Sequence, residues 1–306
     1  MSTIQSGFSK KTLVAGRGLF EQAILDALVA RGSQLKAGAG GFVRSLAKRW
    51  PAIVAAMVLA VGVGPTFAEG DDDETPLGAA TLIIELTDND IELQAFIDGS
   101  PAWKRFEISD PRERKIFDMR TKKRLRMQGM SELFFASSPD HFEQDAPSES
   151  ANETVKKFLR KFPAGAYEFE AKKIDGGELE GEAVLTHVLA ALPEIITPVS
   201  YDDEPPVVDP LNLVIEWEPV TTRFIGDGPV TIIEYQVILD QVDPLREMAW
   251  VDGKTRRSLI NLPGTVTSLT VPPEFLLRGA TYDFEVIAIE ESGNATISVG
   301  EFITSE

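Results

Sequence analysis

The sequence predicts a mainly β protein, with a two-sheet β-sandwich in its C-terminal third, a β-rich α+β region before it and a signal peptide at its N-terminus. After about residue 80, short runs of β-branched and aromatic residues alternate with polar residues, which is the pattern of half-buried strands. Clusters of Gly, Pro, Asp and Asn separate these runs and are typical of turns. A basic segment and an apolar run precede all of them, in the order of a secretory signal.

The composition of the chain limits the number of domains and the kinds of reactive site that it can form. The chain has 306 residues, of which 43% are hydrophobic, so about two packed domains are expected. It has no cysteine, which excludes disulfides and thiolate chemistry. Any zinc site would have to use its two histidines, His141 and His187, together with carboxylates.

Motifs of catalysis or metal binding are absent from the sequence. The two histidines lack HExxH spacing, and no GxSxG, P-loop or GxGxxG motif occurs. The turn Asp88-Asn89-Asp90 offers oxygen ligands of the kind that Ca²⁺ prefers, but it lacks the twelve-residue loop pattern, and turn chemistry explains it. We therefore expect no metal site, no cofactor and no catalytic residue, and hence a protein that is not an enzyme.

The N-terminus carries the signature of export. Arg44, Lys48 and Arg49 precede an uncharged run of 18 residues, 51–68, which predicts a signal peptide cleaved after Ala68 and a secreted or periplasmic protein. The alternative is a retained membrane anchor, although 18 residues with two prolines and two glycines are at the short limit for a span. Because a leader of 68 residues is long, a second hypothesis places the true start of translation at Val43.

The chain left after cleavage is strongly acidic. Residues 1–68 hold 8 basic and 2 acidic side chains, so the net charge of −18 becomes −24 without them. Such acidity makes nucleic acid and anionic lipid surfaces poor expected partners. Residues 69–79 are predicted to be a disordered acidic N-terminus, and no integral membrane span is expected after cleavage.

Residues 80–192 are predicted to form the α+β domain, of unknown family. Its clearest signal is Asp175-Gly176-Gly177 between alternating runs, which predicts a hairpin over 167–186. A second hairpin is expected over 82–97, followed by a turn at Asp98-Gly99-Ser100-Pro101. Residues 131–136 fit either a helix or a strand. The remaining expected elements are strands at 103–108, 115–119 and 123–127 and a helix at 153–162 capped by Asn152.

A basic cluster stands out within this acidic region. Ten Lys and Arg residues occur between positions 104 and 126. This cluster, including Lys122, Lys123 and Arg124 near its C-terminal end, is a candidate site for an anionic polymer, such as a sulfated or uronic polysaccharide. The alternative is a solvated face that pairs with the acidic loop after Asp140, since charge runs are usually solvated surface.

The region 193–306 carries a specific resemblance. A linker rich in Pro and acid, 197–210, leads into short strands with turns between them, and seven such strands indicate a sandwich. The motifs are Trp217 ahead of Pro219, residues 233–237, Leu269, residues 279–286, Ala288 and Gly293. They resemble a fibronectin type III domain, which implies an immunoglobulin-like sandwich with a core that includes Trp217, Tyr235, Leu269 and Tyr282. The segment 242–255 is longer than the corresponding segment of a fibronectin type III domain, and Trp250 within it matches no position of that pattern.

Tyr282 follows Leu276 and a glycine turn, which is the arrangement of a tyrosine corner. In that arrangement the tyrosine hydroxyl makes a hydrogen bond to the backbone of the preceding loop. We therefore expect the Tyr282 hydroxyl to fix the loop before its own strand.

The resemblance names a scaffold and no ligand. In such sandwiches the loops 220–229 and 290–294 lie at one end, where Arg223, Phe224 and Asp227 either contact a partner or cap the sandwich. We expect a non-catalytic exported bacterial protein that binds a protein or a polysaccharide, with the ligand unspecified. The alternatives are a secreted enzyme with an accessory sandwich, and a structural spacer or assembly subunit of the cell envelope.

Overall fold

The computed structural model describes residues 74–142, 148–200, 204–243 and 256–306, which form two β-rich regions with separate cores. The predictions on the leader, on cleavage after Ala68, on the start at Val43 and on Trp250 concern residues outside these ranges. The elements of the N-terminal region are β1 (Glu74–Pro76), β2 (Ala79–Leu86), β3 (Asp90–Ser109), β4 (Lys115–Arg120), α1 (Lys123–Gln128), β5 (Met130–Ala136), β6 (Asp140–His141), α2 (Ser148–Lys161), β7 (Gly165–Lys173) and β8 (Glu178–Leu185).

The N-terminal region is built on β3, a strand of 20 residues that changes partners along its length. Its first half pairs with β2 and β5, and its second half pairs with β4 and β7. The register with β5 shifts between Asp98 and Trp103, where the change of partners occurs. The turn predicted at residues 98–101 is therefore an irregularity inside one strand, because the turn-forming residues bend β3 without ending it.

Three further predictions for this region need correction. The strand expected at 123–127 is the helix α1, since its Lys, Arg, Leu and Met residues are good helix formers and no neighbouring strand pairs with them. Helix α2 begins at Ser148, one turn before the expected cap at Asn152, with Glu149 favourably placed in the first turn. Part of the segment expected to be disordered is ordered, because β1 pairs in parallel with β8 and Leu77 is buried.

The other expected elements of the region are confirmed. The β2–β3 and β7–β8 hairpins form with antiparallel pairing, and residues 131–136 belong to strand β5. Helix α2 contributes Val155 and Phe158 to a core that the strands line with Trp103, Phe106 and Phe169. All five side chains are at most 1% exposed, so this region has a dry core of its own.

The C-terminal region is the predicted sandwich. Its elements are β9 (Ile195–Thr197), β10 (Val207–Val208), β11 (Val214–Trp217), β12 (Ile232–Asp243), β13 (Arg257–Pro263), β14 (Ser268–Thr270), β15 (Thr281–Glu290) and β16 (Ala295–Thr304). Three strands form one sheet in the order β14-β11-β9, and four continue the larger sheet in the order β16-β15-β12-β13, with the short β10 beside β16. The seven strands of these two sheets confirm the fibronectin type III-like fold.

The aromatic residues predicted for the sandwich core lie there. Trp217 and Tyr235 are 1% exposed and pack edge to face with ring centroids 5.2 Å apart, while Leu269 is partly buried against the same core. The Leu277 backbone N–H donates to the Tyr282 hydroxyl oxygen at 2.7 Å, which confirms the expected tyrosine corner. The Tyr235 hydroxyl accepts the Val220 N–H at 2.9 Å in the same manner.

The two regions share one sheet at their junction. Strand β16 pairs in parallel with β2 through Ala295 opposite Glu85 and Thr296 opposite Leu86, so the sheet continues from one region into the other. Asn294, 1% exposed, fixes this contact. Its side-chain oxygen accepts the Ile84 N–H at 2.8 Å, and its amide donates to the Val188 carbonyl at 2.8 Å and to the Thr186 hydroxyl at 3.1 Å.

Candidate binding surface

Helix α1 lies outside the sheet, between two strands that follow the same edge of β3. Strand β4 ends with Arg120 opposite Arg105, and β5 begins with Met130 opposite Trp103. Both strands run antiparallel to β3, so β5 continues the line of β4 along that edge. The intervening residues 121–129 leave this line at the point where β3 bends.

The two ends of this excursion are anchored in the domain. The Thr121 N–H and hydroxyl both donate to the Lys104 carbonyl at 3.0 Å. At the other end the Gly129 N–H donates to the Leu125 carbonyl at 2.7 Å, and Gly129 adopts a φ of +78°. A Cβ at Gly129 would collide with the Ile174 side chain, so the exit from α1 requires glycine.

Between these anchors, no residue of α1 is buried. Lys122 and the helix residues Lys123, Arg124 and Arg126 all expose their side chains, and none of the four forms an ion pair with any part of the chain that the structure describes. Two apolar residues are interleaved with them: Leu125 is 48% exposed and Met127 is 81% exposed. We call residues 122–127 the basic tip.

Other members of the predicted basic cluster are neutralised within the domain. Arg105 and Lys115 both pair with Glu107, and Arg105 also contacts Asp118 at 3.0 Å. Further along, Arg114 pairs with Asp110 at 2.6 Å. The cluster therefore divides into cations that stabilise the β3–β4 surface and the unpaired cations of the basic tip.

The structure brings Lys122, Lys123 and Arg124 together at the tip, as their adjacency requires. Their role in binding stays a prediction. The alternative, pairing with the acidic loop after Asp140, falls mainly on residues 143–147, which lie outside the described ranges. Asp140 itself bonds to Lys161 of α2 at 2.5 Å, which is not a member of the cluster.

The second predicted group lies at the junction between the two regions. Phe224 packs against the N-terminal core, and its backbone N–H donates to the Leu189 carbonyl at 2.9 Å. Arg223 bridges to Ala190 through its backbone and donates from Nε to the Pro229 carbonyl at 3.2 Å, while Asp227 stays exposed in the loop. Phe224 and Arg223 thus make contacts within the molecule, and the choice between partner binding and capping of the sandwich stays a prediction for this group.

A pair of buried carboxylates was not anticipated from the sequence. Glu85 on β2 and Glu92 on β3 are directly opposite each other and only 2% and 4% exposed. The Gln94 amide donates to both, at 3.0 Å and 2.8 Å. The pKa of Glu92 is raised to about 7, mainly by burial; the hydrogen bond from Gln94 opposes this shift and the charge of Asp90 adds to it. Burial likewise raises the pKa of Glu85 well above its usual range, with the charge of Glu92 adding to the effect.

The residues considered as metal ligands have other contacts. His187 Nε2 lies 2.8 Å from the Phe162 carbonyl, and His141 lies 3.6 Å from Asp90. The Thr87 hydroxyl donates to Asp90 at 2.7 Å and accepts backbone N–H groups of the same turn. Across the described ranges, no group of three or more His, Asp or Glu side chains is arranged to hold a metal ion. Nor does any helix in that part of the chain have the length and apolar content to cross a membrane.

Comparison with known proteins adds only distant similarities. No protein-family model and no curated protein matches the chain. Among solved structures, the chain is similar to the third fibronectin III domain of the human KIAA0343 protein. The two are 15% identical, the match covers 38% of this chain and 85% of that one, and the TM-score is 0.25. It is also similar to the FN1–FN3 domains of chicken CNTN1, with 13% identity, coverage of 76% and 68%, and a TM-score of 0.25. The sandwich assignment rests on the strand order and tyrosine corner of this chain itself.

Proposed function

We propose that this protein is a non-catalytic, exported binding protein and that the basic tip is its binding surface. One observation carries the proposal: residues 122–127 are all exposed, and their four cations have no ion-pair partner among the described residues of a chain whose net charge is −18. Because these side chains take no part in a hydrophobic core, packing does not explain their presence at the tip. Exposed segments held on a rigid scaffold are where binding residues concentrate.

The scaffold suits this role. The tip is fixed at both ends by Thr121 and Gly129, so its cations are presented from an anchored segment and little ordering is needed on binding. The absence of a catalytic motif in the sequence supports a non-catalytic role. The export part of the proposal rests on the predicted signal peptide.

Binding to immobilised heparin, polyuronate and a neutral dextran, measured over a range of salt concentrations, tests this function. The protein would be residues 69–306, which contain both cores. We expect saturable binding to the anionic polymers that weakens with salt and falls at least about tenfold when Lys122, Lys123 and Arg124 are changed to Glu.

The matched control changes Lys156, Lys157 and Arg160 of α2 to Glu, which alters the net charge equally at another exposed face. This control should bind almost as well as the unmodified protein. Equal loss in both variants would mean that net charge, and not the tip, governs binding, and the proposed surface would be rejected.

A further inference from the structure

The geometry points to an anionic lipid bilayer as the partner of the basic tip, with Met127, the most exposed apolar side chain of α1, inserted below the headgroups. This inference rests on the proposed function, because it names the partner of the same surface. It departs from the expectation, drawn from net charge, that anionic lipid surfaces are poor partners.

The apolar residues of the tip distinguish a bilayer from a soluble anionic polymer. A polyanion contacts the cations alone, whereas a bilayer also takes up an exposed apolar side chain such as that of Met127, which is 81% exposed beside them. At a bilayer surface, apolar side chains enter the acyl boundary while Lys and Arg extend their stems and keep their charges at the headgroups. The order Lys-Lys-Arg-Leu-Arg-Met supplies both kinds of side chain along one short segment.

The surroundings of the tip leave room for a flat surface. Helix α1 buries none of its residues, so neighbouring elements do not cover it. At its C-terminal end, Gly129 lies beside Ala102 of β3 and Ile174 of the β7–β8 turn, whose N–H donates to the Ala102 carbonyl at 3.2 Å. That turn carries one exposed acid, Asp175, next to two glycines.

Local charge outweighs net charge at this contact. In physiological salt the Debye length is about 8 Å, so acidic residues farther than that from the headgroups repel them only weakly. Two acids on the strands beside the tip are neutralised: Asp118 on β4 contacts Arg105 and Arg120, and Glu107 on β3 contacts Arg105 and Lys115. The unpaired cations of the tip therefore dominate the field that a membrane would meet first.

Co-sedimentation of residues 69–306 with vesicles tests the inference. The vesicles would be made of phosphatidylcholine alone or of phosphatidylcholine mixed with phosphatidylglycerol. We expect binding to the mixed vesicles only. We expect a loss of at least about tenfold both for the triple Glu variant of Lys122, Lys123 and Arg124 and for the variant Leu125→Ser with Met127→Ser, which keeps every charge.

A second measurement reports insertion directly. Met127→Trp introduces a fluorophore at the most exposed apolar position of the tip, and its emission should shift to the blue and be quenched by brominated lipid in mixed vesicles. Because α1 buries no side chain, all these variants should keep the thermal unfolding midpoint of the unmodified protein, which serves as the control for folding.

The outcomes separate this inference from the proposed function. Polymer binding that needs Lys122, Lys123 and Arg124, without vesicle binding, leaves the function in place and overturns the bilayer as partner. Vesicle binding that the Ser variant retains in full also overturns it, since adsorption by charge alone needs no insertion. If neither vesicles nor polymers depend on the tip, both proposals fail.

Discussion

The carboxyl groups of Glu85 and Glu92 are buried from solvent within the sheet. Because each is nearly fully buried and faces the other across the β2–β3 pair, the protonated form is favoured in the folded protein. No pattern in the sequence indicates this burial, because alternating Glu residues in an antiparallel hairpin usually lie on a solvated face. Alternation indicates which residues share a face, but whether that face is covered depends on contacts that are distant in sequence.

A defined pH dependence of stability follows for Glu92. Its pKa is about 7 in the folded protein against an ordinary value of 4.5, so the folded state binds more protons between these values. Stability from this group is fully present below pH 4.5 and is lost as pH rises through 7, by roughly 3 kcal/mol at most. We expect Glu92→Gln, which can still accept from Gln94, to raise the free energy of unfolding at pH 8 by up to that amount and to leave it nearly unchanged at pH 4.

Denaturant unfolding of both proteins across this pH range measures the effect. Exposed Glu168 on β7, changed to Gln, is the matched control and should leave the pH profile unaltered. A Glu92→Gln profile parallel to that of the unmodified protein would show that this carboxyl titrates alike in the folded and unfolded states.

For single elements, the local sequence pattern predicted which strands pair in hairpins but not where the chain leaves the sheet to form a helix. The β2–β3 and β7–β8 hairpins formed as expected because a turn signal lies between two alternating runs that meet each other. Helix α1 was expected to be a strand because its basic run follows β4, and the sequence does not reveal that β5, and not 123–127, resumes the pairing with β3. Lys123 and Arg124 lie in a helix and not in the expected strand, while the predicted role of Lys122, Lys123 and Arg124 in binding stays a prediction.

Gly129 is the position on which the geometry of α1 depends most. We expect Gly129→Ala to lower the free energy of unfolding by about 1–3 kcal/mol, because the backbone φ of +78° is strained for alanine and the Cβ meets Ile174. Gly176→Ala is a close control: its φ is +104°, yet its Cβ would meet nothing within 4 Å. Denaturant titration of the two variants should show the larger loss at Gly129, and equal losses would argue that backbone strain alone, without packing at the exit, is responsible.

For the molecule as a whole, the sandwich was predictable and its attachment was not. The seven strands and their aromatic core follow from patterns and a resemblance that lie within residues 193–306. The junction depends on β16 pairing with β2 and on Asn294 reaching Ile84, which is 210 residues away in the sequence. Nothing in the local pattern of Ser292-Gly293-Asn294 indicates more than a turn, so a buried polar link across the two regions could be found only in three dimensions.

Removing that link should weaken the coupling of the regions. Asn294→Ala leaves the Ile84 N–H and the Val188 carbonyl without their buried partner, so we expect a loss of roughly 2–3 kcal/mol in the free energy of unfolding. Hydrogen exchange at the Ile84 amide should accelerate, and unfolding monitored in each region should cease to coincide. Asn212→Ala, which removes an exposed amide bonded to Asp209, provides the comparison and should stay within about 0.5 kcal/mol. An unchanged exchange rate at Ile84 in Asn294→Ala would contradict this account.

The sheet that continues through both regions also links the orientation of the sandwich to that of the N-terminal region. Because β2 and β16 are neighbours in one sheet, the sandwich cannot swing freely about residues 193–210 as a module on a flexible linker would. A surface that binds the basic tip would therefore also determine the orientation of the sandwich relative to that surface. A second partner that binds the sandwich would then encounter it in a single orientation, which is set by binding at the tip.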